Sequence, residues 1–145
     1  MEYRRMEERD LEQVAAIEEA TFSMPWSKEA FLESMNNPSH VYVVACEEEV
    51  ICGYCGMWGV AGEGQINNVA VKSDVRGRGT GYELVRFLLK EGEEQGVETF
   101  TLEVRESNAA AIHVYEKAGF QNVGIRKNFY DKPKENAVIM WKNPF

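Results

Sequence analysis

Apolar side chains recur along this chain at two spacings, three to four residues apart in some stretches and two apart in others, the periods of a helix face and of a strand. A short strand near Tyr3 precedes a helix from about Asp10, with Leu11, Val14, Ala15, Ile17 and Ala20 on its apolar side. Pro25 disfavours helix at the residue ahead of it and Ser27 is a good N-cap, so a second helix starts there and ends near Asn36-Asn37-Pro38. Val41 to Glu47 and Val50 to Val60 read as a hairpin around Glu48-Glu49, and Gln65 to Val71 returns after Gly59-Val-Ala-Gly-Glu-Gly64. Tyr82 to Gln95 carries Leu84, Val85, Leu88 and Leu89 at helical spacing, and Gly96 ends it. Thr99 to Val104 is a strand, Asn108 caps a helix through Lys117, and Ala118-Gly119 terminates it. Strands near Gln121 to Lys127 and Ala137 to Lys142 close the pattern.

The resulting order, β-α-α-β-β-β-α-β-α-β-β, describes an α/β fold of the α+β kind, a mixed sheet flanked by helices. Parallel pairing is expected only between the two strands bracketing the long helix, because that connection needs a crossover. The 145 residues predict a single domain over 1–145. Apolar residues at 44% and charged residues at 28% are ordinary for a globular protein and do not indicate disorder. The longest apolar run, Val41 to Cys46, is far too short to span a membrane, and Met1-Glu-Tyr-Arg-Arg-Met-Glu-Glu lacks the apolar core of a signal peptide. A cytoplasmic protein without a membrane partner is expected. A formal charge of −8 argues against nucleic acid as the main partner, since phosphate backbones are held by clustered Lys and Arg. Two readings of that charge stand: simple solubility, or attraction of a basic substrate.

Candidate chemistry begins at Val69-Ala-Val-Lys-Ser-Asp-Val-Arg76-Gly-Arg-Gly79-Thr-Gly81, where an apolar strand runs into a glycine-rich turn that opens a long helix. Glycines 77, 79 and 81 permit a sharp turn and close approach of a ligand, while the helix start offers unpaired N–H groups and its positive dipole end. An anion fits there, although a tight strand-to-helix connection can use glycine for itself. The spacing is neither a P-loop, because no Lys-Ser or Lys-Thr follows, nor the dinucleotide G-x-G-x-x-G pattern.

Cys52-Gly-Tyr-Cys55 matches a redox C-x-x-C pair only superficially, since it lies in a strand, where residues three apart face opposite ways. Buried small hydrophobes are the better account. No second C-x-x-C and no paired histidines supply a metal site, His40 and His113 standing alone. In the strand from Thr99, the alternation of Phe100, Leu102 and Val104 puts Glu103 on the other face with Thr101. Glu103 either pairs with Arg105 on a wet face or has a chemical task. Tyr115 follows Asn108 by seven residues, so the two share a helical face with Ile112, roughly 10 Å apart along the axis.

Arg76-x-x-Gly79-x-Gly81 together with Leu102-Glu-Val-Arg-x-Ser-Asn108-x-x-Ala-x-x-x-Tyr115-x-x-x-Gly119-Phe120 resembles the GNAT superfamily of acyl-CoA N-acyltransferases over nearly the whole chain. Phe22-x-x-Pro25-Trp26-Ser27, Leu102-Glu-Val-Arg-Glu-Ser-Asn-Ala-Ala-Ala-Ile112 and Arg126-x-Asn128-Phe-Tyr130 are similar to its ribosomal-protein-alanine N-acetyltransferase branch. The resemblance implies that the anion is the pyrophosphate of acetyl-CoA, set on Arg76, Gly77, Arg78, Gly79, Thr80, Gly81 and Tyr82 and held by the amides from Gly77 to Tyr82. It implies that Val69, Ala70 and Val71 form a strand splayed from its neighbour to bond the pantetheine arm, which Asn108 also contacts, with Glu103 as general base and Tyr115 as general acid. No metal is implied. The implied acceptor is a protein N-terminus, basic and starting with alanine, as in a small-subunit ribosomal protein. Trp26, Phe129 and Tyr130 are expected to line the peptide groove, although relatives often carry two tyrosines where this chain has Phe129-Tyr130. An N-terminal amine, with a pKa near 8, is roughly a tenth neutral at pH 7, which makes it an easier nucleophile than lysine. A small-molecule amine or lysine side chain as acceptor, and a non-catalytic acyl-CoA sensor, are the alternatives.

Overall fold

Strand β2 (His40–Glu47) is buried at every position from Val41 to Cys46, and β3 (Val50–Val60) from Ile51 to Met57. Uninterrupted burial of this kind arises where both faces of a sheet are covered. The computed structural model describes residues 1–143, Val60 by its backbone alone. The remaining strands are β1 (Glu2–Arg5), β4 (Glu63–Val71), β5 (Thr99–Arg105), β6 (Gln121–Asp131) and β7 (Lys134–Lys142). They form one seven-stranded sheet in the order β1-β2-β3-β4-β5-β7-β6. Among the described residues only β4 and β5 run parallel, joined by the crossover through α3 (Thr80–Glu94), as the element order predicts.

Two apolar layers cover the sheet. Leu84, Val85, Leu88 and Leu89 of α3 pack with Tyr115 of α4 (Ala109–Lys117) on Val43, Cys55, Met57, Leu102 and Met140. On the opposite face, Leu11, Val14 and Ile17 of α1 (Leu11–Thr21) and Phe31 of α2 (Lys28–Met35) cover Tyr42, Val44, Ile51 and Tyr54. Each large apolar side chain so buried contributes about 1.5–3 kcal/mol of transfer free energy. Helix α2 starts where the sequence indicates, with Ser27 Oγ accepting the Ala30 N–H at 3.1 Å.

Several boundaries differ from the sequence reading. Strand β4 begins at Glu63 rather than Gln65, and α3 begins at Thr80 rather than Tyr82. The helix can start as soon as the chain leaves Gly79, its N-cap, whose φ of 81° is left-handed. The last hairpin is longer than expected, because a register shift between Arg126 and Tyr130, with Asn128 at φ 54°, lets β6 resume pairing after residues 127–129.

Candidate active site

Strands β4 and β5 pair only from Glu63↔Thr99 to Ile66↔Leu102. Beyond that point Asn68 to Val71 remain bonded to β3, and Glu103 to Arg105 to β7, so the two strands part and turn unpaired edges toward each other. Asn67 is skipped in the β3–β4 register, a bulge placed where the separation starts. Backbone N–H and C=O groups need partners, and an extended ligand entering the split can bond them as an added strand. Val69, Ala70 and Val71 line its β4 side.

The glycine turn stands at the end of β4. Gly77 and Gly79 have φ of 84° and 81°, and a Cβ built on either meets nothing within 4 Å. Among the described residues, the amides from Gly77 to Tyr82 have no hydrogen-bond acceptor, and they sit at the positive end of a 15-residue helix. Arg76 turns back, its Nε donating to the Val71 carbonyl at 3.0 Å, and so braces the turn against β4. Arg78 is exposed, Thr80 is buried, and Gly81 lies against Val71. The Tyr82 ring lies 4.3 Å from Lys117 Nζ. Replacing Gly79 with Ala forces a side chain into the left-handed region at about 1–2 kcal/mol. The resemblance that sets acetyl-CoA on this turn predicts that Gly79→Ala weakens acetyl-CoA binding by about tenfold as the turn relaxes to another conformation. Calorimetry that finds the affinity unchanged would show that the turn does not hold the cofactor.

Glu103 lies on the face opposite Leu102 and Val104, both buried among the α3 layer. Its Oε2 accepts the Gln65 Nε2 at 3.1 Å and its Oε1 accepts an Arg126 Nη1 at 3.3 Å. The Arg126 side chain is 58% exposed, so that ion pair is screened and readily displaced. Glu103 does not pair with Arg105. Arg105 instead clamps the tip of the last hairpin, donating to Pro133 O at 2.8 Å, Lys132 O at 3.1 Å and Glu135 Oε1 at 3.2 Å.

Tyr115 lies on the other face, its ring centroid 5.9 Å from that of Phe120. It is 7% exposed, and its hydroxyl bonds no described residue. Burial, reinforced by Cys55 and Tyr130 nearby, pushes its pKa well above 10, so the phenol keeps its proton. Glu103 and Tyr115 thus lie on opposite faces of the sheet. Asn108 caps α4, its Oδ1 accepting the Ala111 N–H at 3.2 Å, which leaves its NH₂ to donate outward.

Trp26, in the loop between α1 and α2, packs on Phe31 at 5.3 Å and on Trp58 at 6.0 Å. Phe129 is exposed beneath Arg126, while Tyr130 is half-buried with the Arg105 guanidinium 4.3 Å over its ring. Burial and the neighbouring Glu103 charge push the Tyr130 hydroxyl up to about 12. Ser23 Oγ donates to Lys132 O at 2.5 Å, so the loop carrying Trp26 touches the hairpin carrying Phe129 and Tyr130. Gln65, Trp58 and the buried Glu18 escaped the sequence reading. Glu18 alone left a signal, a carboxylate seven residues after Leu11 and four after Val14, inside the apolar stripe. The three cysteines are buried and free.

The family model for the acetyltransferase (GNAT) family matches residues 11–120. The chain belongs to the GNAT acetyltransferase family. This N-acetyltransferase is 40% identical over 139 residues to the putative [ribosomal protein bS18]-alanine N-acetyltransferase of Bacillus subtilis (strain 168), covering 95% of this chain and 92% of the relative. It is 34% identical over 137 residues to the [ribosomal protein bS18]-alanine N-acetyltransferase of Escherichia coli (strain K12), covering 93% and 92%. The crystal structure of the ribosomal-protein-S18-alanine N-acetyltransferase from Escherichia coli superposes with a TM-score of 0.88 at 32% identity, over 98% of this chain and 92% of that one. The parallel β4–β5 pair that opens into a split is thus part of a GNAT acetyltransferase fold. Among the described residues, no helix is long and apolar enough to cross a membrane.

Proposed function

We propose that this enzyme transfers the acetyl group of acetyl-CoA to the α-amine of a protein N-terminus, the alanine of ribosomal protein bS18 named in its relatives. The observation that carries the reading is the split beyond Ile66 and Leu102, with the Glu103 carboxylate next along β5 and the protonated Tyr115 phenol on α4. The pyrophosphate rests on the amides from Gly77 to Tyr82, and the pantetheine arm lies along Val69 to Val71 with Asn108 beside it. The amine enters between Trp26 and the Phe129-Tyr130 hairpin end.

The chemistry needs a proton removed from the amine and one delivered to the thiolate, with N–H groups facing the oxyanion. Nitrogen attacks the thioester carbon while Glu103 takes a proton from nitrogen, directly or through a water. The C–S bond then breaks, and Tyr115 returns a proton to sulfur. An amide on the open β4 edge faces the oxyanion. An N-terminal amine, with a reference pKa near 8, supplies far more neutral nucleophile at pH 7 than a lysine near 10.4 does. The net charge of −8 favours a basic polypeptide as the acceptor.

Three peptides test this with acetyl-CoA and thiol release as readout: a free alanine terminus followed by basic residues, the same terminus blocked, and an internal lysine. Release with the first alone supports the reading. Release with the lysine peptide makes the enzyme a side-chain acetylase, and tight cofactor binding with no release makes it a sensor.

A further inference from the structure

Glu18 occupies the middle of the buried face of α1 and is 2% exposed. A carboxylate is held in such a place only by donors that surround it. Three elements other than α1 supply them. From β3, the Tyr54 hydroxyl donates to Oε1. From β4, the Asn68 Nδ2 reaches both oxygens, at 3.2 and 3.4 Å. From the loop after α1, the Trp26 backbone N–H donates to Oε2 at 2.9 Å. A hydrophobic side chain would fill the same volume without desolvating a charge, so the carboxylate is explained by what it ties together rather than by packing.

Those ties converge on the split. Trp26 stacks on Trp58 with the rings 27° apart, and Trp58 Nε1 donates to the Tyr42 hydroxyl at 3.2 Å. Asn67 Nδ2 donates to the same hydroxyl at 3.3 Å, and Asn67 Oδ1 accepts the Asn68 N–H at 2.8 Å. Both tryptophans are thereby linked through buried polar groups to Asn67 and Asn68, the residues at which β4 leaves β5. Asn68 Oδ1 is the one buried side-chain polar atom without a partner among the described residues. The amide leaves its oxygen unbonded in order to turn its NH₂ to Glu18, which shows the carboxylate governing the orientation of the network.

We propose that Glu18 is a positioning residue that fixes the Trp26 wall of the acceptor groove against β4 without touching either substrate. This rests on the reading of Trp26 as a groove wall given above. The charged bond to the Trp26 N–H sets the loop, and the Trp26–Trp58 stack passes that placement on to the groove.

Glu18→Gln keeps the shape and can keep the bonds to Tyr54 and Asn68, but it turns an NH₂ toward the Trp26 N–H. The peptide KM should rise by about tenfold, in keeping with the loss of one charge-assisted hydrogen bond, while the acetyl-CoA KM and kcat stay within about threefold. The near-ultraviolet circular dichroism of the Trp26–Trp58 pair should weaken, a readout that needs no acceptor. Tyr54→Phe removes a different donor from the same carboxylate and leaves the Trp26 tether, so it should lower Tm but spare both the peptide KM and the tryptophan signal. An unchanged peptide KM or tryptophan signal in Glu18→Gln overturns the proposal. So does a Tyr54→Phe variant that raises the peptide KM equally, since general loosening would then be the cause. If wild-type enzyme acetylates none of the peptides, the acceptor reading fails, and the tryptophan signal still decides whether Glu18 holds the loop.

Discussion

Glu103→Gln should lower kcat on an alanine-starting peptide by about 10²–10⁴-fold at pH 7, the span that removal of a general base produces. Glutamine matches glutamate in size and can still bond Gln65 and Arg126, so the loss belongs to proton transfer rather than to local structure. The deficit should shrink as pH rises. At pH 7 roughly a tenth of an N-terminal amine is already neutral, and by pH 9 about nine-tenths is, so the variant's need for a base falls away. Acetyl-CoA affinity should hold, because the amides proposed to hold it lie at the far end of β4. A variant with wild-type kcat, or a deficit that does not change with pH, would remove Glu103 from the reaction.

Tyr115→Phe should lower kcat by about 10²-fold and leave Tm almost unmoved. Removing a hydroxyl from a protein interior is usually costly because its partner is orphaned. Here the hydroxyl has no partner among the described residues, so the stability cost should be small while the departing thiolate loses its proton source. Thermal melts and steady-state rates on the same preparation separate the two effects, and a fall in Tm with normal turnover would make Tyr115 a packing residue. The burial that keeps this phenol protonated also acts on stability. Its folded pKa lies above the ordinary value of 10, and Tyr54 is shifted the same way beside Glu18. The unfolded chain therefore sheds these protons first, and stability should be complete below pH 10 and fall as pH rises beyond it.

The glycine turn was legible because its cause is local: φ near 80° at positions 77 and 79 excludes most side chains, so the residue type itself marks the conformation. The face of Glu103 was legible from the strand period alone. Its partners were not. Gln65 and Arg126 lie on β4 and β6, and sequence proximity pointed instead to Arg105, which reaches across to the hairpin tip. Lys127 read as the end of β6, whereas a left-handed Asn128 allows the strand to continue and carries Tyr130 to a place beside Glu103.

Element order, the one parallel crossover and the turn that opens α3 were determined by the amino-acid sequence itself, since hydrophobic period, caps and glycine act within a few residues of where they occur. The tertiary structure alone decided that β4 and β5 part after Ile66 and Leu102, and that Glu18 is buried at all. Each of these depends on groups brought together from distant parts of the chain, as when Glu18 meets donors 36 and 50 residues away. No local pattern carries that information, because a buried charge or an open strand edge is stable only once its partners have arrived.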